Sequence, residues 1–354
     1  MASILDLRRR IRSVRNTRQI TKAMKMVSAA KLRRAQEHAM NARPYAMLLA
    51  SVLNSLRRRL ETYDAASAYR QHPLLVTRPE KRVLLIVVAG DKGFAGAFNT
   101  NIMRAASHFI HENDHHQIDI EPIGRKARDH FRRTYSVADY LEQRDEGTGL
   151  IRRVRRNRSG NIEVTGDHPG VLQKLTFEEA HKLSEEVVAR YAQAEIDAVY
   201  LVYNEFKSVI QQRVVVEKIL PLIEFGQRQI AAVQEMSREE KERAAVAGAS
   251  AGVSPYADED EEEKFGNEDV DYTYEEDPME IFSSLLPQYV ASQIYHAMLE
   301  SVAAEHAARM TAMDAATSNA SEMIDHLTLT MNRVRQAAIT KEIIEIVSGA
   351  SAIG

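Results

Sequence analysis

Over residues 288–348 the positions Leu299, Ala303, His306, Met310, Met313, Thr317, Ala320, Ile324, Leu327, Met331, Val334 and Ala338 recur at alternating spacings of four and three, with no Pro or Gly before Gly349. A seven-residue repeat held over several heptads predicts a helix wound around a partner helix. At 1.5 Å per residue it would be roughly 90 Å long, far beyond the helices of compact domains. Residues 3–60 carry the same period in Ile4, Leu7, Ile11 and Val14, then in Leu32, Ala35, Ala39, Ala42, Ala46, Leu49, Leu53, Leu56 and Leu60. Between these groups the register lands on Arg18, Thr21, Lys25 and Ser28, while the apolar Ile20, Met24 and Val27 lie on another face. Two readings stand: drift of a 3.6-residue helix against a 3.5-residue repeat, or a stretch faced by a different protein. Pro44 predicts a kink near residues 41–43.

After Pro79 the period changes. VLLIVVA at 83–89 reads as a buried strand, followed by the turn GDKGFAGAFN and a helix over 100–111. A second strand over 118–123 precedes a helix opened by GRKARDHFRR, and residues 177–194 are amphipathic. Residues 197–204 and 208–219 alternate like paired strands. The Arg/Gly-rich stretch 147–160 reads as a solvated hairpin or loop. Residues 235–277 mix small side chains with the acid run Asp258–Glu263 and bury too little to fold alone, so a flexible acidic linker is expected. Pro278, with Asp277 as a cap, starts the last helix.

The fold class that follows is mixed α and β. A coiled-coil helix over 1–60 and another over 278–354 pair as a long antiparallel two-helix coiled coil, since neither rod is stable without burying its stripe. A Rossmann-like α/β domain over 80–225 is inserted between them.

Composition narrows the function. The 354 residues carry a net charge of -3, yet Arg8, Arg9, Arg10, Arg12, Arg15, Arg18, Lys22, Lys25, Lys31, Arg33 and Arg34 crowd the start. Such a helix suits phosphate backbones or an acidic protein surface equally well, and no aromatic residues are interleaved for base stacking. Its Arg-rich, acid-poor opening imitates a transit peptide, but the heptad pattern runs through it, so it reads as part of the fold. The chain has no cysteine, which removes disulfide and thiolate chemistry. No apolar run is long enough to span a membrane.

The turn GDKGFAGAFN sits where backbone amides often hold phosphate, but it matches neither the GxxxxGK[ST] loop nor GxGxxG and reads as a tight strand-to-helix turn. His108, His111, His115 and His116 read as surface histidines rather than a metal site. No paired carboxylates or Ser/His/Asp arrangement stands out. From 302 to 323 the long helix is almost all Ala, Ser, Thr, Met and Asn, so its seam is slender. Its end, IIEIVSGASAI, is apolar on several faces and calls for enclosure by other chains.

IRSVRNTRQITKAMKMVSAAKLRRAQ near the start and HAARMTAMDAATSNASEMIDHLTLTMNRVRQAAITKEIIEIVSGASA at the end resemble the two terminal signatures of the gamma subunit of the rotary F-type ATP synthase. GDKGFAGAFN resembles that family's central motif, and DPMEIFSSLLPQYVASQIYHAMLES its lead-in to the last helix. The acid-rich segment near 245–270 is longer than that pattern expects. The resemblance implies a central-stalk rotor that transmits rotation of a membrane c-ring to a ring of alpha and beta subunits, contacts an epsilon subunit, binds no cofactor, metal, nucleic acid or small substrate, and performs no bond chemistry itself. It places the chain peripherally on the cytoplasmic face of a bacterial inner membrane. By motif matching, Lys22, Met24 and Lys25 would meet a beta subunit's acidic lever, Arg309, Gln336, Thr340 and Glu342 would touch catch loops of the ring, and Ile343, Ile344, Ile346 and Val347 would sit in an apolar bearing. Two other readings remain: a standalone coiled coil binding nucleic acid or a membrane surface, which would show steep salt dependence, and an enzyme using the Gly-rich turn, whose α/β domain would bind nucleotide.

Overall fold

The computed structural model describes residues 3–62, 71–144, 151–155, 158–254, 272 and 274–353. Two helices dominate it, α1 (Ile4–Thr62) and the last helix (Pro278–Ile353). Between them come β1 (Arg82–Val88), α2 (Phe98–Glu112), β2 (Gln117–Ile123), α3 (Arg125–Thr134), β3 (Ser136–Val137), β4 (Tyr140–Arg144), β5 (Ile151–Arg155), β6 (Ile162–Val164), α4 (Phe177–Ala192), β7 (Ala198–Phe206), β8 (Gln212–Leu220), β9 (Gln229–Glu235) and α5 (Arg238–Ala251). The last helix is therefore α6.

The four-three register of α1 holds without a break. Thr21, Lys25 and Ser28 are buried in line with Leu32, Ala35, Leu49, Leu53, Leu56 and Leu60, so the drift reading fails, and the partner helix rather than a different protein faces these register positions. The partner faces the polar residues, and Ile20 and Val27 are left 60% and 57% exposed. Pairing runs antiparallel. Thr21 Oγ1 meets Thr317 Oγ1 at 2.8 Å, Lys25 Nζ meets Asp314 Oδ1 at 2.6 Å, and Tyr45 meets Gln288 at 3.4 Å, the partner number falling as the α1 number rises. Each fully buried leucine of this seam contributes about 1.5–3 kcal/mol. Helix α1 continues through Pro44.

A seven-stranded sheet lies beside the rods in the order β3-β6-β2-β1-β7-β8-β9. Strand β1 runs parallel to β2 and β7, while β8 and β9 are added antiparallel. Its alternation splits the core in two. Val83, Leu85 and Val87 face α2, α3 and the mid-rod cluster around Leu32 and Ala303. Leu84, Ile86 and Val88 face α4 and the base of the rods, where Leu53, Leu56, Phe282 and Ile294 are buried. Strands β4 and β5 pair antiparallel apart from the main sheet; only β5 falls within the Arg/Gly-rich stretch 147–160, and β4 precedes it.

The short strands β3 and β6 and two longer elements depart from expectation. Strand β9 was not foreseen; it is an edge strand whose middle is exposed, so it lacks the clean apolar alternation that marks a strand. Residues 238–251, whose composition predicts a flexible linker, form helix α5. Its N-cap Ser237 and Glu240 make a reciprocal capping box, Gly252 closes it at φ 66°, and Ala244, Ala247 and Gly248 are buried. Docking, rather than propensity, offsets its low apolar content. The acid run 258–263 lies outside the described residues.

Candidate functional site

In an open α/β sheet, ligands settle beyond the carboxyl ends of the strands where the chain reverses its direction of travel across the sheet. Here that crevice lies beside β1, which connects through α2 to β2 on one side and has β7 on the other. Helix α6 fills it. Ser301 Oγ donates to the Val88 carbonyl at 3.5 Å. Glu305 lies so close to Gly90 that a Cβ there would stand 2.8 Å from its carboxyl group. Arg309 pairs with Glu305 and donates from Nε and Nη2 to the Gly93 carbonyl at 3.3 and 3.4 Å. Burial pushes the Glu305 carboxyl up, and Arg309 opposes that shift. Burial, with Arg309 and Lys31 nearby, holds His306 down to about 4, so its neutral ring accepts from Arg309. Gly90 of GDKGFAGAFN thus admits the rod itself.

Asp91 organises the same turn. Its carboxylate accepts from the backbone N–H of Arg125 at 3.0 Å and of Gly170 at 2.8 Å, tying three loops at the carboxyl edge. Asp91→Ala strands both donors and is expected to cost about 2 kcal/mol in urea unfolding; a loss below about 0.5 kcal/mol would mean water replaces the carboxylate.

A second polar cluster joins α6 to β7, β8 and the turn before β9. Arg228 reaches Glu205 at 2.5 Å and Glu217 at 3.0 Å, and Tyr203 donates to Glu217 at 2.9 Å. Glu300, 4% exposed, stands beside this group with His296 Nε2 3.6 Å away, and its Oε2 has no hydrogen-bond partner. Burial pushes Glu300 up to about 8 and His296 down to about 4. A cavity of about 160 Å³ adjoins the cluster, lined by Tyr203, Glu217, Arg228, Tyr289, Gln293 and His296. Apart from Glu300, the carboxylates of this joint are matched by arginines of the chain.

The residues singled out by motif divide into two sets. Lys22 is exposed and Met24 half-buried on α1. Lys25 is turned inward: its Nζ lies 2.6 Å from both Asp314 and Ser250, because it occupies a seam position of the heptad. Arg309 is likewise only 8% exposed and engaged by Glu305, Gly93 and His306. Neither is free to serve as an outward contact in this conformation. Gln336, Thr340, Glu342, Ile343, Ile344, Ile346 and Val347 all lie on the part of α6 that outruns α1, where every described side chain from Ile339 to Ser348 is exposed. Ile346 is 71% exposed and Ile343 55%.

Sequence reading missed Glu300, Arg228 and α5. Glu300 had one signal, a lone acid inside the apolar run around Leu299 and Val302. Arg228 had none, since its partners are distant in sequence. Among the described residues, no three His, Asp or Glu side chains gather as a metal site would need, and His108 pairs instead with Glu112 at 3.0 Å. No helix there is long and apolar enough to cross a membrane.

A family model described as ATP synthase matches residues 3–353. The ATP synthase gamma chain of Solibacter usitatus is 45% identical over 352 residues, covering 99% of each chain. That of Anaeromyxobacter sp. strain Fw109-5 is 41% identical over 355 residues, covering all of both. Among solved structures, a chain of the Euglena gracilis mitochondrial ATP synthase (OSCP/F1/c-ring) superposes with a TM-score of 0.54 at 17% identity, over 99% of this chain and 94% of that one, which speaks for the fold.

Proposed function

The chain belongs to the ATP synthase gamma chain family, and from that premise we propose that it is the central-stalk rotor of an F-type ATP synthase. The α1–α6 rod turns inside a ring of alpha and beta subunits, and the sheet domain, which with β9 runs past 225 to Glu235, is a foot carried on the epsilon subunit and the membrane c-ring. The chain works peripherally at the cytoplasmic face of a bacterial inner membrane and holds no nucleotide itself. The carrying observation is the tip. Beyond Ala338 a single helix with Ile339, Ile343, Ile344, Ile346 and Val347 exposed needs an apolar sleeve.

The mechanism is differential contact. A rod with unlike faces presents different surfaces to the ring subunits at each angle, and only unequal interaction with alternative subunit states shifts their nucleotide affinities. Around Ile20 to Val27 the seam side is polar and satisfied within the chain, while the outer side carries Ile20, Lys22, Met26 and Val27. That outer stripe and the tip are where the ring is read. Lys22 and Met24 remain the contacts proposed on α1, and Gln336, Thr340, Glu342, Ile343, Ile346 and Val347 those on α6. Lys25 and Arg309 hold the rod in shape.

Co-expression with alpha and beta subunits is expected to yield a complex retaining this chain, in which ATP drives rotation of a bead fixed to the foot. A chain that stays alone in solution would sink the proposal. Ile20→Asp with Val27→Asp is expected to weaken retention by at least about tenfold, since two apolar side chains lose a buried setting. Unchanged retention would place the ring elsewhere on α1.

A further inference from the structure

Helix α5 has no place in the reading above. It stands where three parts of the molecule meet. On its inner face Ala244 and Ala247 are 1% and 0% exposed, and both belong to one buried cluster with Ala29 and Leu32 of α1, Ala303 and Ala307 of α6, and Val209 at the β7–β8 turn. Gly248 lies against that turn: a Cβ on it would be 3.5 Å from Val209 Cγ1. Polar ties flank the packing. Lys25 Nζ donates to Ser250 Oγ at 2.6 Å while also pairing with Asp314 on α6, so one ammonium links all three helices. About two turns further along α1, Arg33 Nη2 donates to the Gly252 carbonyl at 2.6 Å, catching the C-cap of α5. The outer face is solvated, with Arg238–Glu242 and Glu239–Arg243 pairs at i,i+4 and Val246 65% exposed.

We propose that α5 is a torsional brace: it turns the two-helix rod into a three-helix bundle at the level where the rod leaves the sheet, and clamps both rod helices to the foot. The inference rests on the rotor reading. A two-stranded rod resists twist through a single seam, and near Thr317 that seam is built of small side chains. Material added off the axis, tied to both strands and to the foot, stiffens the segment through which torque must pass. Lys25 and Arg33 are then positioning residues of the brace, which accounts for a lysine at a seam position.

The test uses the full chain and its complex with alpha, beta, epsilon and the membrane sector. Ala247→Asp places an unpaired carboxylate in the buried face and is expected to release α5, lowering hydrogen-exchange protection over 244–251 by about a hundredfold. Val246→Asp, with the same charge on the solvated face, is expected to leave that protection unchanged. In vesicles the Ala247→Asp complex should hydrolyse ATP while losing proton pumping per ATP, and single-molecule twist measurements should read a softer joint between foot and rod. Released α5 with parental pumping and parental stiffness would overturn the brace, as would undiminished protection. Should Ala247→Asp fail to assemble, Arg33→Ala with Ser250→Ala removes two ties and keeps the apolar face; it must show a smaller softening, and none overturns the proposal. A parental chain that neither assembles nor turns would instead overturn the rotor reading, leaving the docking of α5 to be judged by exchange alone.

Discussion

Arg228→Met is expected to destabilise the full chain by about 2 kcal/mol. That is less than the loss of one partner from a wholly buried ion pair, because the Arg228 side chain is 32% exposed while its carboxylates are buried. Arg228 pairs with two carboxylates that are almost wholly buried, Glu205 at 2.5 Å and Glu217 at 3.0 Å. Its plane also lies over the Tyr203 ring, 5.6 Å from the centroid. After the substitution Glu205 keeps Arg213, whereas Glu217 keeps only the Tyr203 hydroxyl. The stranded charge is therefore on Glu217, and the double variant Arg228→Met, Glu217→Gln should recover at least about half of the loss, because neutralising an orphan removes most of its desolvation cost. Urea unfolding of both variants reads this directly. A single variant within about 1 kcal/mol of the parent would show that water already screens the cluster.

Glu300→Gln is expected to stabilise the chain at alkaline pH and to do nothing in acid. Burial raises the Glu300 carboxyl from 4.5 to about 8, with Arg228, Glu205 and Glu217 facing it from the sheet side and Arg43 from α1. Below about 4.5 the group is protonated in folded and unfolded chains alike, so it carries no penalty. Between 4.5 and about 8 the unfolded chain has lost the proton and the folded chain has kept it. Folding then takes up a proton, and stability falls as pH rises through that window, levelling above it. At 1.4 kcal/mol per unit of displacement the span is on the order of 3–5 kcal/mol. Glutamine mimics the protonated acid and does not titrate, so the two stability curves should meet near pH 4.5 and diverge toward pH 8. Parallel curves would show that Glu300 is solvated or paired in the folded chain.

Both predictions concern groups that sequence reading did not select. The rods were legible because a heptad is a local code: each of Leu7, Ile11, Leu32, Leu53 and Leu60 announces its face by its spacing alone. The same code carried through Thr21, Lys25 and Ser28, where composition argued against it and the register proved right. Strand β1 and helices α2 and α4 were legible for a similar reason, since a run of β-branched residues or a 3.6-residue stripe needs no knowledge of its partner. Helix α5 was not, because beyond its charged first turns its small residues mark no apolar face until something is seen to cover them. The motif residues Lys25 and Arg309 show the other limit. A resemblance marks a position as specific without saying whether its side chain points into the rod or out of it.

What the amino-acid order determined unaided was therefore one-dimensional: two long stripes, a succession of short strands and helices with a glycine turn between them, and a tip too apolar to stand in water. The tertiary structure decided where charges went. Arg228 meets Glu205 and Glu217, Glu305 meets Gly90, and Lys25 meets Asp314 and Ser250 across gaps of up to hundreds of residues. Periodicity is enforced by the geometry of a single helix or strand, whereas ion pairs in a low-dielectric interior depend on which surfaces the whole chain brings together.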